Sequence, residues 1–225
     1  MRIALFGGSF NPLHIGHITI AGYVLKNCDV DSLSFVLSPH NPWKNSDDLE
    51  EAAKRLRDLR EAVAEINAYR LKKRENQINI RGGSIERLAG SNNADSTEKN
   101  RYRDTFIPME VCDVEFILPQ PIYTYNTLRY LFGKYPDNEY IWIIGADNAA
   151  FIEKWYRWRE IVNEFEVWVY PRSGYDTKAL CDKYKLKYLD APVIDISSTE
   201  IRESIKAGNK INLRKEIESF CSIFD

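Results

Sequence analysis

The sequence reads as an α/β fold with a doubly wound parallel sheet and helices on both faces, and three observations carry that reading. Apolar runs of strand length alternate with stretches of helical periodicity along most of the 225 residues. Glu139-Tyr140-Ile141-Trp142-Ile143-Ile144 is almost continuously apolar, as expected of a central parallel strand covered on both sides. The first strand runs straight into GGSFNPLHIGH, residues 7–17, a glycine-rich turn between a strand and a helix. Such turns receive phosphates in Rossmann-like sheets, because glycine lets the backbone approach and the first helical turn presents unpaired N–H groups to an anion.

Element by element, Arg2 to Phe6 is short, apolar and β-competent, and Ile18 to Leu25 has apolar residues at helical spacing. Ser32 to Leu37 reads as a second strand, and Ser38 to Lys44, broken by Pro39 and Pro42, as a loop. Leu49, Ala52, Leu56, Leu59, Val63 and Ile66 lie three or four apart on one face, which predicts a long amphipathic helix reaching about residue 73. From Asn76 to Asp104 the pattern is lost in a polar stretch with few apolar anchors, and a mobile insertion is expected at about 76–104. Order returns with a strand over Val111 to Leu118 and a helix over Tyr123 to Tyr135, with Leu128 and Leu131 facing inward. The strand at 139–144 ends in Gly145-Ala146-Asp147, a second β-to-α turn. A short helical segment, the aromatic stretch Trp155 to Trp158, and strands at Phe165 to Tyr170 and Leu186 to Leu189 complete the alternation. Ligands in such sheets bind beyond the carboxyl ends of the strands, here residues 7–17, 38–44, 119–124, 145–147 and 196–202.

Composition narrows the function. An apolar fraction of 44% with 12% aromatics supports a packed core, and one domain over 1–225 is expected. A formal charge of −2 gives no broad attraction to nucleic acid or anionic membrane, so neither is expected as a partner, and phosphate chemistry requires a local site. Cys28, Cys112, Cys181 and Cys221 are scattered and form no C-x-x-C, which fits reduced thiols in a cytoplasmic protein rather than a zinc site. No leader pattern and no run of about 18 apolar residues is present, so neither secretion nor membrane insertion is expected. Oligomeric state has no signature in the sequence.

Within the turn, His14 and His17 stand at i and i+3, where both can face one bound anion, and Gly16 between them leaves room for it. They are two of three histidines in the chain, and their joint placement favours a functional role over incidental packing. The second half of the site is Asp195-Ile196-Ser197-Ser198-Thr199-Glu200-Ile201-Arg202. Ser197 and Glu200 form a capping-box pattern, which explains them without function. Arg202, a turn into the helix, lies on the side that meets phosphates gathered at its N-terminus. Lys44 would be an ordinary solvated charge elsewhere, but it follows the carboxyl end of the second strand. Asp147 has helix capping, and Trp155 and Tyr156 have core packing, as alternative explanations.

The word HIGH, residues 14–17, is shared by class I aminoacyl-tRNA synthetases and small nucleotidyltransferases, and the chain has neither a K-M-S-K-S-type loop nor the length of a synthetase. GGSFNPLHIGH, SPHNPWK, YTYNTL, WIIGADN, KWYRW and ISSTEIR, in this order, resemble the bacterial nicotinate mononucleotide adenylyltransferases over most of the chain apart from the insertion. The resemblance implies adenylyl transfer from ATP to the 5′-phosphate of nicotinate mononucleotide. It implies an ATP side of Gly7, Gly8, Ser9, Phe10, Gly16, His17, Gly145, Ile196, Ser197 and Ser198, with His14, His17 and Arg202 near the triphosphate. The acceptor side would be Asn11, Lys44, Tyr123, Thr124, Asp147, Trp155 and Tyr156, the indole stacking on the pyridine ring. His14, His17, Lys44 and Arg202 would act in catalysis beside Mg²⁺. No carboxylate cluster suggests a metal cage, so the ion would be held by nucleotide phosphates and water rather than by protein ligands. Ile122 stands where the family often has serine, and Asn11 where many members have aspartate. Two other readings are a different adenylyl- or cytidylyltransferase, such as one acting on phosphopantetheine, and a nucleotide sensor without turnover. The first gives no reason for the Trp155-Tyr156 pair; the second gives none for both histidines together with Arg202.

Overall fold

A computed structural model describes residues 1–39, 49–85, 106–194, 196 and 198–207. Its first half runs β1 (Arg2–Gly8), α1 (Ile15–Asn27), β2 (Ser32–Leu37), α2 (Leu49–Ile85) and β3 (Met109–Cys112), followed by a 3₁₀ turn at Val114–Phe116. The second half runs α3 (Thr124–Lys134), β4 (Glu139–Gly145), α4 (Ala146–Ala149), a 3₁₀ turn at Ile152–Lys154, α5 (Trp158–Glu164), β5 (Glu166–Tyr170), α6 (Thr177–Tyr184), β6 (Lys187–Tyr188) and α7 (Ser198–Lys206).

Among the described residues the six strands form one parallel sheet in the order β3-β2-β1-β4-β5-β6. The order reverses between β1 and β4, which are hydrogen-bonded neighbours with Phe6 opposite Ile143. The chain leaves β1 toward one edge and returns at β4 to build toward the other, so loops diverge there and open a crevice above the carboxyl ends of both strands.

Alternation along the strands splits the core in two. Ala4, Phe6, Phe35, Ile141, Ile143 and Trp168 face α1 and α2, meeting Ile18, Val24, Leu59 and Ile66. Leu5, Val36, Trp142, Ile144, Val167 and Val169 face the other way, toward Leu128 of α3, Ala149 of α4, Ile161 of α5 and Cys181 of α6. Every side chain of β2 is buried, as a strand covered on both faces requires. Burying each such aliphatic side chain contributes about 1.5–3 kcal/mol, so the period-two pattern fixes the register firmly.

Four elements differ from the reading of the sequence. The helix expected to end near residue 73 continues to Ile85, so residues 76–85 of the expected insertion are helical, and 86–105 lie outside the described residues. The strand expected over 111–118 starts at Met109 and stops at Cys112, because the chain turns at Val114–Phe116. Helices α5 and α6 carry no counterpart in the sequence reading; α6 is capped by Asp176, whose side chain accepts from the Ala179 N–H at 3.0 Å.

Candidate active site at the β1–β4 crevice

The turn after β1 is built by packing before chemistry. Phe10 occupies the left-handed region at φ 40°, which costs a non-glycine residue of order 1 kcal/mol, and its ring is buried against Phe6, Phe35 and His17. A Cβ on Gly8 would stand 3.1 Å from the Phe10 ring, and one on Gly7 would stand 2.3 Å from the buried Trp142 indole. Gly16 leaves space for the His14 ring, which a Cβ would meet at 3.1 Å. These glycines therefore have packing reasons of their own, beside the approach of a phosphate.

His14 is the N-cap of α1 and His17 lies three residues on, their rings 3.7 Å apart. The His14 backbone N–H donates to His17 Nδ1 at 3.3 Å. That bond places the proton of a neutral His17 on Nε2, making this ring a donor to whatever lies beyond it. His14 is 2% exposed; its Nε2 lies 3.1 Å from Ser198 Oγ and its Nδ1 is buried without a partner. Burial first, then the Arg172 charge, lowers the His14 pKa from 6.5 to about 4. Burial, then His14 and Arg172, holds His17 well below its ordinary value. Both imidazoles are therefore neutral at physiological pH, so each can donate one hydrogen bond but carries no charge.

The His14–Ser198 contact brings the N-termini of α1 and α7 together, although 184 residues separate them in sequence. Arg202 strengthens the junction: Nη1 donates to the Asn11 carbonyl at 2.8 Å and Nη2 to Thr199 Oγ1 at 2.9 Å. Arg172, which the sequence reading did not single out, donates to the carbonyls of Ile194 (3.1 Å) and Ile196 (3.3 Å) and stands 3.6 Å from Asp147 Oδ1. It follows the carboxyl end of β5, and the strand-end rule applied there would have found it. Gly145 ends β4, and a Cβ on it would lie 2.2 Å from Asp147 Oδ1 and 3.0 Å from the Tyr170 ring. That carboxylate oxygen is buried without a hydrogen bond. Arg55 of α2, also missed, donates to the carbonyls of Ser9 (2.9 Å), Ser38 (3.1 Å) and Pro39 (2.8 Å), tying the β1 and β2 loops together.

On the other side of the crevice Tyr123 and Tyr156 stack at 4.8 Å, with Tyr125 edge-on to Tyr156 at 6.2 Å. Thr124 is the first residue of α3. Trp155 is half-buried and packs against the core beneath α4 and α5. Gly7, Gly8, Ser9, Phe10, Asn11, His14, Gly16, His17, Gly145, Asp147, Ile196, Ser198 and Arg202 gather where the strand order reverses. Lys44 and Ser197 lie outside the described residues. Among the described residues no three His, Cys, Asp or Glu side chains form a metal-holding group. Asp147, at the end of β4, stands 3.6 Å from Arg172, and a hard cation there, with several oxygen ligands, would need phosphates and water to complete its shell.

Comparison with known proteins places the chain in a family. The profile of the cytidylyltransferase-like family matches residues 5–204. A "probable nicotinate-nucleotide adenylyltransferase" of Flavobacterium psychrophilum is 34% identical over 216 residues, 95% of this chain and 90% of that one. The chain belongs to the nicotinate-nucleotide adenylyltransferase family. A second member, from Flavobacterium johnsoniae, is 31% identical over 94% of this chain and 90% of its own. The fold is shared with the Plasmodium falciparum nicotinic acid mononucleotide adenylyltransferase complexed with NaAD, at a TM-score of 0.62 and 16% identity, covering 98% of this chain and 95% of that chain. Adenylyltransferases of this family are nucleotidyltransferases.

Neutral, buried histidines make a pH prediction. Unfolded His14 titrates near 6.5 and folded His14 at about 4, so between these values the unfolded chain binds the extra proton. The stability held by neutral His14 is complete above about pH 6.5 and is lost as pH falls toward 4, roughly 3 kcal/mol in all. Urea unfolding near pH 7 and near pH 5 should therefore show a steeper loss for the parent than for His14→Gln. Equal losses would show that His14 is solvated.

Proposed function

We infer that this chain transfers the adenylyl group of ATP to the 5′-phosphate of nicotinate mononucleotide, giving deamido-NAD and pyrophosphate. The observation that carries the reading is the His14–Ser198 contact at the sheet's reversal point, joining the two motif-bearing helix N-termini in a chain of this family. A phosphate oxygen of the mononucleotide attacks the α-phosphorus in line; the new P–O bond forms as the bond to the bridging oxygen breaks, and pyrophosphate leaves with the electron pair. No covalent enzyme intermediate is needed, so the protein has to hold two anions together and stabilise charge that spreads in transit.

In this reading Gly7, Gly8, Ser9 and Phe10 shape the nucleotide turn, and His14 and His17 donate to the phosphates. Arg202 and Lys44 add positive charge, and Ile196, Ser197 and Ser198 close the ATP side. Arg172 joins them as a cation fixed close enough to depress both histidines. Tyr123, Thr124, Asp147, Trp155 and Tyr156 form the acceptor side. Mg²⁺, which nucleotide phosphates and water would hold, would supply further neutralisation of phosphate charge. A single domain in the cytoplasm fits this role, and the free thiols of Cys28, Cys112 and Cys181 fit a reducing compartment.

The test is pyrophosphate release with ATP, Mg²⁺ and a panel of nicotinate mononucleotide, its amide and phosphopantetheine. The acid should be used with kcat/KM at least about tenfold above the amide, the equivalent of roughly 1.4 kcal/mol, because N–H and hydroxyl donors pair more strongly with an ionised carboxylate. Equal use of acid and amide would overturn the acid-specific reading, and preference for phosphopantetheine would overturn the substrate assignment.

A further inference from the structure

The nucleotide turn and the Tyr123 side of the crevice are joined by a buried polar chain whose central carboxylate, Glu115, lies outside every motif quoted above. Glu115 lies in the 3₁₀ turn after β3, is 4% exposed, and is raised in pKa by burial, with the hydroxyls of Ser38 and Thr127 pulling it back. Its Oε2 accepts from Ser38 Oγ at 2.8 Å and its Oε1 from Thr127 Oγ1 at 2.9 Å. The Ser38 N–H donates to the Gly8 carbonyl at 2.9 Å. The Thr127 hydroxyl, fully buried, also lies 3.4 Å from the Tyr123 carbonyl, the longer arm of a shared bond. One carboxylate thus connects Gly8, at the end of β1, to Tyr123, at the start of α3.

A buried carboxylate costs several kcal/mol in lost hydration, which two hydroxyl bonds offset only in part, and an apolar side chain would fill the same space more cheaply. What an apolar residue cannot do is fix direction, and hydrogen bonds set the separation of two loops to within a few tenths of an ångström. In-line transfer demands that accuracy between donor and acceptor phosphates.

We propose that Glu115 and Thr127 are positioning residues that hold the acceptor pocket at a set distance from the nucleotide turn. The inference rests on the acceptor reading of Tyr123 given above. Thr127→Val keeps the shape and deletes the hydroxyl; Thr127→Ser keeps the hydroxyl and deletes a methyl. The expected result is a KM for nicotinate mononucleotide raised fivefold or more in Thr127→Val, with the KM for ATP within twofold of the parent, and Thr127→Ser near the parent in both. Should Thr127→Val fail to fold, Ser38→Ala reads the same link from the other side of the carboxylate, with the same selective rise expected. Variants at 127 that behave alike, or that raise both KM values together, would overturn the proposal and leave Glu115 a packing residue. A parent enzyme inactive with nicotinate mononucleotide overturns the functional reading, and this inference with it; an active parent with no selective effect overturns this inference alone.

Discussion

His17→Ala should lower kcat by roughly 10²-fold or more while leaving the KM for ATP and for the acceptor within a few-fold of the parent. The ring is held before substrate arrives: its Nδ1 accepts from the His14 N–H, and it meets the Phe6 and Phe10 rings in edge-type contacts at 5.8 and 5.1 Å. The remaining N–H is therefore aimed without reorganisation at the moment of reaction. A preoriented donor in a desolvated crevice contributes most where charge grows, which is on the oxygens of the phosphoryl group in transit, and less in the ground state. Because burial keeps His17 neutral, kcat should not follow imidazole protonation between about pH 6 and 8. Steady-state kinetics of the purified variant decide the matter: a kcat near the parent's would remove His17 from catalysis, and a large rise in KM at constant kcat would make it a ground-state binder.

The motif-bearing turns of the candidate site were more legible in the sequence than the contacts that frame them. HIGH and Ser-Ser-Thr-x-Ile-Arg carry residue types suited to phosphate binding, the strand-end rule puts both at one crevice, and His14 and Ser198 meet. Arg55 and Glu115 escaped because each works through carbonyls or hydroxyls far away in sequence, and a lone arginine or glutamate has no local pattern, whereas Arg172 was within reach of the strand-end rule at β5. The end of α2 escaped for a different reason. Apolar spacing marks only the part of a helix that touches the sheet; among the described side chains its last core contacts are Ile66 and Tyr69, and Leu71 is already 44% exposed although the helix goes on. The end of β3 escaped because Val114-Glu115-Phe116 is apolar enough to extend a strand, while the chain turns there to bring Glu115 to its two hydroxyls. Helix α6 was readable: Asp176 caps it, and Thr177, Cys181 and Tyr184 are buried at helical spacing.

Gly7→Ala should destabilise the protein by about 3 kcal/mol, a fall in Tm of roughly 6–12 °C for a chain of this size. Glycine at this point of a phosphate turn invites the explanation that the backbone must approach an anion. The structure supplies a second cause: a Cβ would lie 2.3 Å from Trp142 Cζ2 and 2.8 Å from Cη2, both in the body of a rigid ring that is 4% exposed. The ring cannot yield easily, being packed in the core on the α3–α6 side of the sheet, and β1 is pinned by its pairing with β2 at Val36 and with β4 at Ile143 beside it. The strain should instead bow the end of β1 and carry the His14–His17 turn with it, so activity falls together with stability. Trp142→Phe removes the offending part of the indole, and in the double variant Gly7→Ala should cost far less than it does alone, with turnover recovering in step. Thermal unfolding and kcat/KM for ATP across the four-member cycle separate the two causes. If Gly7→Ala keeps its Tm but loses ATP turnover, and Trp142→Phe restores nothing, the missing Cβ serves the nucleotide; coupled recovery of both means that the turn is shaped by the core beneath it.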